Sequence, residues 1–352
     1  MNSDDTYMTR CLDLSKKGFG NVAPNPMVGC VIVHNGVIIG EGFHRKFGSA
    51  HAEVNAIDAV KNKNLLKEAS VYVNLEPCSH HGKTPPCADL LIKYQVKEVI
   101  IAAKDPNPLV AGKGIEKLQN AGITVKYGVL EEEAKALNKR FFCYYTKKRP
   151  YIILKWAKTL DGFMDIDRSQ PGNNLDNWIT NDELKILVHK WRSEEEAIIV
   201  GTNTAFNDNP QLNIRHWKGK QPLRLVLDEN LSLSNTLHLF DQQELTVVFA
   251  ALEKENVHNI VYRKINFCEN PLREILDYLY EIKITSLIIE GGRELLLSFI
   301  NQGLWDEARI LTGNKTFGKG LLAPEITGSV FSDEEINKNN VKIIGNGAKN
   351  SW

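Results

Sequence analysis

Three residues that favour a soft divalent metal stand close together in the first quarter of the chain. His51-Ala52-Glu53 lies where a loop gives way to a helical pattern. Pro77-Cys78 follows some 25 residues on, and Cys87 comes after SHHGKTPP. One imidazole and two thiolates suit a tetrahedral zinc, and three protein ligands leave the fourth position for water. Water so held ionises near neutral pH and becomes a usable nucleophile. Glu53, two residues past the imidazole, can reach that water without binding the metal and shuttle its proton.

A His-x-Glu element followed by P-C-x-x-C, with a non-ligand Glu, is the pattern of zinc nucleobase deaminases. Here eight residues separate the two cysteines. The longer insert admits His80 and His81 as rival ligands, and a fourth protein ligand would make the zinc structural. In the second half the best signal is SLIIEGGREL, an apolar strand running into Gly291-Gly292 and then a helical pattern. Paired glycines let backbone approach a phosphate, and a helix N-terminus offers free N–H groups. The fuller G-x-G-x-x-G fingerprint is absent, so a doubly wound dinucleotide domain is not indicated.

The elements that must position these groups follow from spacing. Residues 3–17 read as a helix stopped by Gly18, and MVGCVIVHNGVIIGEG as two strands joined by Asn35-Gly36, the strongest two-residue hairpin signal. HAEVNAIDAVKN begins a helix, SVYVNLEP a strand, CADLLIKYQ a helix, EVIIAA a strand, GIEKLQNAG a helix and ITVKYG a strand. A hairpin followed by alternating helices and strands predicts a three-layer α/β unit. The run Lys147-Lys148-Arg149-Pro150 reads as a linker, because the pattern restarts after it. YIILKWA, EAIIVG, PLRLVLD, LTVVFA, SLIIEGG and EARILTG are strand-like, with NDELKILVHKWR and PLREILDYLYEI helical between them, and NNVKIIGNGAKNSW offers one last short strand. Two domains are expected, residues 1–146 and 147–352.

APNPMVGCVIV, HAEVNAI, NLEPCSHHGKTPPCADLLI and DPNPLVAGKGIEKLQNAGI resemble the deaminase half of the bifunctional riboflavin-biosynthesis deaminase/reductase family. In that family the long insert between the cysteines is the rule. The resemblance implies a cytidine-deaminase-like fold, zinc on His51, Cys78 and Cys87, Glu53 as proton shuttle, and a pyrimidine pocket lined by Asn25 and the GKTPP loop. The family usually has proline before the ligand histidine, where this chain has Ala50. LKWAKTLDG, NWITNDE, AIIVGTNTAFNDNPQLNIR, PLRLVLD and IIEGGREL are similar to its reductase half, a dihydrofolate-reductase-like domain that uses NADPH. By that likeness Ala157, Trp178, Thr204, Asp208 and the segment Gly292, Arg293, Glu294, Leu295, Leu296, Leu297 and Ser298 fall on cofactor-binding positions. Asp176, Arg192, Leu212, Arg215 and Glu290 fall on substrate-binding positions. Arg192 and Arg215 suit the substrate's 5-phosphate, since a planar, permanently charged fork matches phosphate oxygens. Asp176 and Glu229 are acidic where the family commonly has serine.

The function so implied is two consecutive steps: hydrolytic deamination of 2,5-diamino-6-ribosylamino-4(3H)-pyrimidinone 5′-phosphate, then NADPH-dependent reduction of its ribosyl group to ribityl. The alternative is a tRNA or cytidine deaminase with an unrelated C-terminal nucleotide-binding domain. Composition constrains partners. The 352 residues carry 43 basic and 43 acidic side chains, which argues against a protein that holds polyanions by bulk electrostatics. Residues 1–146 carry 18 basic and 15 acidic groups, so the first half does not read as an RNA-binding module. The expected partner is a small phosphorylated pyrimidine nucleotide, with no nucleic acid and no membrane; assembly into a homo-oligomer is left open. No apolar run approaches the ~20 residues of a membrane helix. The polar N-terminus lacks a secretory signal, and six scattered cysteines suit a reducing, cytoplasmic location.

Overall fold

The computed structural model describes residues 3–79, 85–168 and 177–347. The chain divides into two compact units, with the division between Lys148 and Arg149.

The first unit is a five-stranded sheet between two layers of helices. Helix α1 spans Ser3–Ser15 and passes into a short 3-10 turn that ends at Gly18. Strands β1 (Gly29–His34) and β2 (Val37–Phe43) pair antiparallel. Both turn residues, Asn35 and Gly36, have positive φ, at 49° and 76°, as a two-residue hairpin turn requires. Then come α2 (Ala52–Ala59), β3 (Ser70–Leu75), α3 (Cys87–Lys93), β4 (Glu98–Ala103), α4 (Lys113–Asn120) and β5 (Thr124–Tyr127). The order in the sheet is β2-β1-β3-β4-β5, with β3, β4 and β5 parallel. Side chains alternate along each strand. Ile32, Val71, Val73, Val99 and Ile101 pack against Ala56, Ile57, Leu91 and Leu118 of α2, α3 and α4. Val31, Val33, Tyr72 and Ile100 face Met8, Cys11 and Leu12 of α1 on the other side.

That second face is completed by α5 (Glu131–Leu137) and α6 (Lys139–Lys147), which bring Ala134, Phe141 and Phe142 to the core. The sequence reading had no helices there. A Cβ on Gly40 or Gly42 would overlap the α2 backbone at Ala56, so two glycines let α2 lie directly on β2.

The second unit is built on a nine-stranded sheet. In chain order it comprises β6 (Tyr151–Lys158), β7 (Phe163–Ile166), α7 (Asp182–Glu194), β8 (Ala197–Val200), α8 (Thr202–Asp208), β9 (Leu223–Leu227), β10 (Thr246–Ala250), β11 (Ile260–Lys264), α9 (Pro271–Glu281), β12 (Ser286–Ile289), α10 (Arg293–Asn301), β13 (Glu307–Thr312), β14 (Gly320–Leu322), β15 (Ser329–Ile336) and β16 (Asn339–Gly345). The sheet order is β11-β10-β9-β8-β12-β6-β13-β16-β15, and β7 with β14 forms a separate ribbon. Strands β11 through β13 are parallel, whereas β16 and β15 are antiparallel. One face buries Ile152, Leu154, Ile199 and Leu287 against α9 and α10. The other packs Leu311 and Val341 against Leu184, Val188 and Trp191 of α7.

Four strands escaped the sequence reading: β11 and β15 carry polar or charged residues on much of their length, and the ribbon strands β7 and β14 are only four and three residues long. The six strand-like runs named from sequence are the inner strands β6, β8, β9, β10, β12 and β13.

Candidate active sites

In the first unit the metal-binding types converge. His51 is the residue before α2, with φ −71° and ψ 166°, and Cys87 is the first residue of α3. Cys78 lies between β3 and α3, and its sulfur accepts the Cys87 backbone N–H at 3.3 Å. His51 Nδ1 stands 3.6 Å from Cys78 Sγ and 3.3 Å from Cys87 Sγ. All three ligand atoms lie within 4.8 Å of one another. Ligand atoms around a tetrahedral zinc with Zn–S near 2.3 Å and Zn–N near 2.0 Å are about 3.5–3.8 Å apart, so the donor set and its spacing fit that ion. Cys87 first, and the His51 ring with it, lower the Cys78 thiol well below its ordinary range, in the direction that favours a metal-binding thiolate. The rival ligands His80 and His81 lie outside the described residues, as does most of the GKTPP loop.

Glu53 sits in the first turn of α2, 3% exposed. Burial first, and the nearby Cys78 sulfur second, push its carboxyl above the ordinary range. Asn25 is the other sequence-named residue of this site. Its Nδ2 lies 3.2 Å from His44 Nε2, and His44 Nδ1 lies 3.1 Å from the Ala50 carbonyl. A carbonyl only accepts, so Nδ1 carries the imidazole proton and Nε2 accepts from the Asn25 amide. That fixes the amide's orientation and leaves its oxygen for a ligand.

One acid that the sequence reading passed over organises the junction. Glu76, 3% exposed, accepts backbone N–H groups from Asp105 (3.2 Å), Gly112 (3.0 Å), Gly114 (2.9 Å) and Ile115 (3.3 Å). It thereby ties the start of α4 to the end of β3, two residues before Cys78. A Cβ on Gly114 would overlap the Pro77 carbonyl oxygen, which shows how closely the two segments lie.

In the second unit a cleft of about 1390 Å³ opens at the carboxyl ends of the parallel strands. It is lined by Ala157, Trp178, Thr204, Asp208, Gly292, Arg293, Glu294, Leu295 and Ser298, and by Arg192, Leu212, Arg215 and Glu290. Leu296 is buried in the core of α10 instead, and Leu297 does not line the cleft. Asp176 lies outside the described residues. Trp178 is 49% exposed, with Lys185 Nζ 4.9 Å over its ring. At Gly292 a Cβ would stand 2.9 Å from Thr204 Oγ1, so the glycine admits the close approach of α10 to α8.

The polar centre of the cleft is a three-residue cluster. Arg192 holds Glu290 with a two-pronged contact, Nε at 2.8 Å and Nη2 at 2.7 Å, and also donates to the Asn213 carbonyl at 3.2 Å. Lys155 lies 3.5 Å from the same carboxylate. Burial works to raise the Glu290 carboxyl, but Arg192 and Lys155 outweigh it and hold it at about 2. Lys155 was not singled out from sequence, where a lone lysine in an apolar strand carries no signal. Arg215 leans on Gln211 and Asn213, each at 2.7 Å. Its backbone N–H donates to His189 Nδ1 at 3.2 Å. Burial, with Arg192 and Arg215 nearby, pushes the His189 imidazole down to about 4. Arg168 bridges Asp165 and Asp208, each at 2.6 Å.

Comparison with known proteins adds the lineage. Residues 1–103 match the cytidine and deoxycytidylate deaminase zinc-binding region, and residues 150–349 match the RibD C-terminal domain. The riboflavin biosynthesis protein RibD of Aquifex aeolicus is 40% identical over 97% of this chain and 96% of its own length. The chain belongs to the RibD family. A RibD-family enzyme from Thermotoga maritima, a diaminohydroxyphosphoribosylaminopyrimidine deaminase/5-amino-6-(5-phosphoribosylamino)uracil reductase, matches in structure with a TM-score of 0.85 at 38% identity, covering 97% of this chain and 98% of that one. RibD of Acinetobacter baumannii gives a TM-score of 0.89 at 33% identity, with the same coverage. The chain is therefore a bifunctional deaminase and reductase of riboflavin biosynthesis, with a cytidine-deaminase-like fold followed by the RibD reductase fold. Its cofactors are zinc and NADPH. No helix among the described residues is long and apolar enough to cross a membrane.

Proposed function

We propose that residues 1–146 deaminate 2,5-diamino-6-ribosylamino-4(3H)-pyrimidinone 5′-phosphate and residues 147–352 then reduce its ribosyl group to ribityl. The observation that carries this reading is the meeting of His51, Cys78 and Cys87 beside the buried Glu53. A zinc held by these three supplies a water acidic enough to act as nucleophile near neutral pH. Glu53 takes up the proton of the attacking water and returns it to the leaving amine, which departs as ammonia. Asn25, its amide oriented by His44, offers an oxygen to the pyrimidine edge.

In the second unit a bound NADPH supplies the hydride. Arg215 and Arg192 hold the 5′-phosphate. The Arg192 contacts to Glu290 and Asn213 use three of its five N–H donors and leave two for a ligand. Glu290 and Lys155 present a carboxylate and an ammonium to the sugar hydroxyls and orient C1′. Gly292 and the first turn of α10 take the cofactor's pyrophosphate, with Thr204 across from it. Ala157, Trp178 and Asp208 line the rest of the cofactor's path. The substrate is a small phosphorylated pyrimidine nucleotide, which a few well-placed charges suffice to hold.

The test is Glu53→Gln. It should abolish ammonia release while the purified chain still oxidises NADPH with pre-deaminated substrate. Loss of both activities in a folded, zinc-loaded variant would sink the two-site reading.

A further inference from the structure

Strand β9 carries one charged residue in an apolar run, Arg224 of LRLVL. Leu225 shares a core with α9 and α10, so alternation along the strand sends Arg224 to the other face. There it is 1% exposed and among the largest fully buried side chains.

A buried charge is weak evidence for stability, because a well-packed apolar side chain often serves as well. What an apolar residue cannot do is hold several acceptors at once. Arg224 Nε donates to the Thr246 hydroxyl at 3.0 Å, and Nη1 to the Gln211 and His238 carbonyls at 3.4 and 3.3 Å. Nη2 donates to the Asp241 carboxylate at 2.9 Å and to the Glu244 carbonyl at 2.8 Å. These contacts engage every N–H of the guanidinium. They join two stretches of chain, residues 209–215 and 238–244, to the strand. Both stretches reach the cleft: Gln211 and His238 line it, whereas Arg224 does not. The stretches are also tied to each other, since the His238 N–H donates to Asn209 Oδ1 at 2.7 Å.

The first stretch needs holding. Asn209 and Leu212 have positive φ, at 40° and 52°, a region that residues with a side chain keep only when their surroundings fix it. Gln211 lies between them. Its carbonyl accepts from Arg224, and its side-chain oxygen accepts from Arg215 Nη1 at 2.7 Å. A line of contacts therefore runs from the buried guanidinium through Gln211 to Leu212 and Arg215.

We propose that Arg224 is a positioning residue of the reductase, whose guanidinium sets the path of residues 209–215 and so places Leu212 and Arg215 against the pyrimidine nucleotide. The inference rests on the reductase function proposed for the second unit. Steady-state kinetics of the full zinc-loaded chain with NADPH and pre-deaminated substrate test it. Arg224→Lys keeps the charge but has a single point of attachment, and cannot hold both stretches. It should raise the KM for the nucleotide about tenfold while kcat and the KM for NADPH stay within about twofold, the signature of lost binding and intact chemistry. Gln211→Ala, at a half-buried position, should raise the same KM. The double variant should lie within about twofold of the larger single effect, because both residues act along one line of contacts. Where Arg224→Lys does not fold, Asp241→Asn decides: it keeps an acceptor for Nη2, removes only the counter-charge, and should raise the nucleotide KM about threefold at unchanged kcat. A nucleotide KM that no variant moves overturns the inference. So does a fall in kcat with both KM values unchanged, which a merely structural arginine would give, and so do effects that multiply in the double variant. An unmodified chain that oxidises no NADPH with this substrate would overturn the reductase reading itself, and this inference with it.

Discussion

Glu76→Gln replaces one carboxylate oxygen by an NH2 that faces backbone donors. In the parent, one oxygen accepts from Asp105 and Gly112, and the other from Gly114 and Ile115. Whichever way the amide turns, two N–H groups lose their acceptor and meet a donor. Each buried donor left unsatisfied costs about 1–3 kcal/mol, so the substitution should cost about 4 kcal/mol. For a domain of this size about 2–4 °C of melting temperature goes with each kcal/mol, which predicts a fall of about 8–16 °C. Differential scanning calorimetry on the full chain reads it, and the transition belonging to the first unit is the one that added zinc raises. The junction that loosens carries Pro77 and Cys78, so zinc should leave faster to a chelator and ammonia release should fall. NADPH oxidation with pre-deaminated substrate should not change. A variant that melts within 1 kcal/mol of the parent and keeps its zinc would refute the claim that this carboxylate holds the site.

Two further outcomes follow from the reductase cleft. Glu290→Gln leaves Arg192 and Lys155 facing one another without their shared counter-charge, and breaking a buried pair costs about 3–5 kcal/mol. NADPH oxidation should collapse and the second unit melt earlier, while ammonia release continues; unchanged melting would contradict the burial of the cluster. His189 sets a pH dependence. Its imidazole is depressed from 6.5 to about 4 in the folded chain, so as pH falls below 6.5 the unfolded chain takes up this proton first. Folded-state stability from the neutral ring is complete above pH 6.5 and is lost progressively between 6.5 and 4. Protonation of the folded chain also removes the acceptor that holds the Arg215 backbone, so substrate affinity should weaken as the pH approaches 4. His189→Asn, which keeps an acceptor and cannot titrate, should flatten both profiles.

The metal-binding cluster was legible because its chemistry is written in residue types: an imidazole, two thiols and an acid, three of them at a helix start. The inner strands were legible because both faces of each sheet are covered, so they read as continuous apolar runs. What escaped had no such mark. Helix α5 opens on three consecutive glutamates and buries only Ala134, and the buried residues of α6, Phe141 to Tyr144, are consecutive and show no helical spacing. β15 alternates little because much of it is exposed. Glu76 and Lys155 act through contacts with segments some 29 to 39 and 135 residues away, and no local pattern announces such partners. Arg192 was assigned to the substrate by the family likeness, and its guanidinium suits a phosphate; only the fold reveals that Glu290 already occupies one edge of it.

Strand β12 lies between β8 and β6, yet it comes from residues 286–289, after β9, β10 and β11 have been made. The sheet of the first unit, in contrast, closes with β5, and its last helix ends at Lys147. During synthesis the N-terminal unit can therefore fold while the ribosome is still working. The second unit waits with β6 and β8 presenting open edges to one another and to every other chain nearby. A translational pause before residue 286 would lengthen that interval. The late central strand thus makes the yield of active reductase depend on elongation speed and on chaperones that cover unpaired strands, while the yield of deaminase does not.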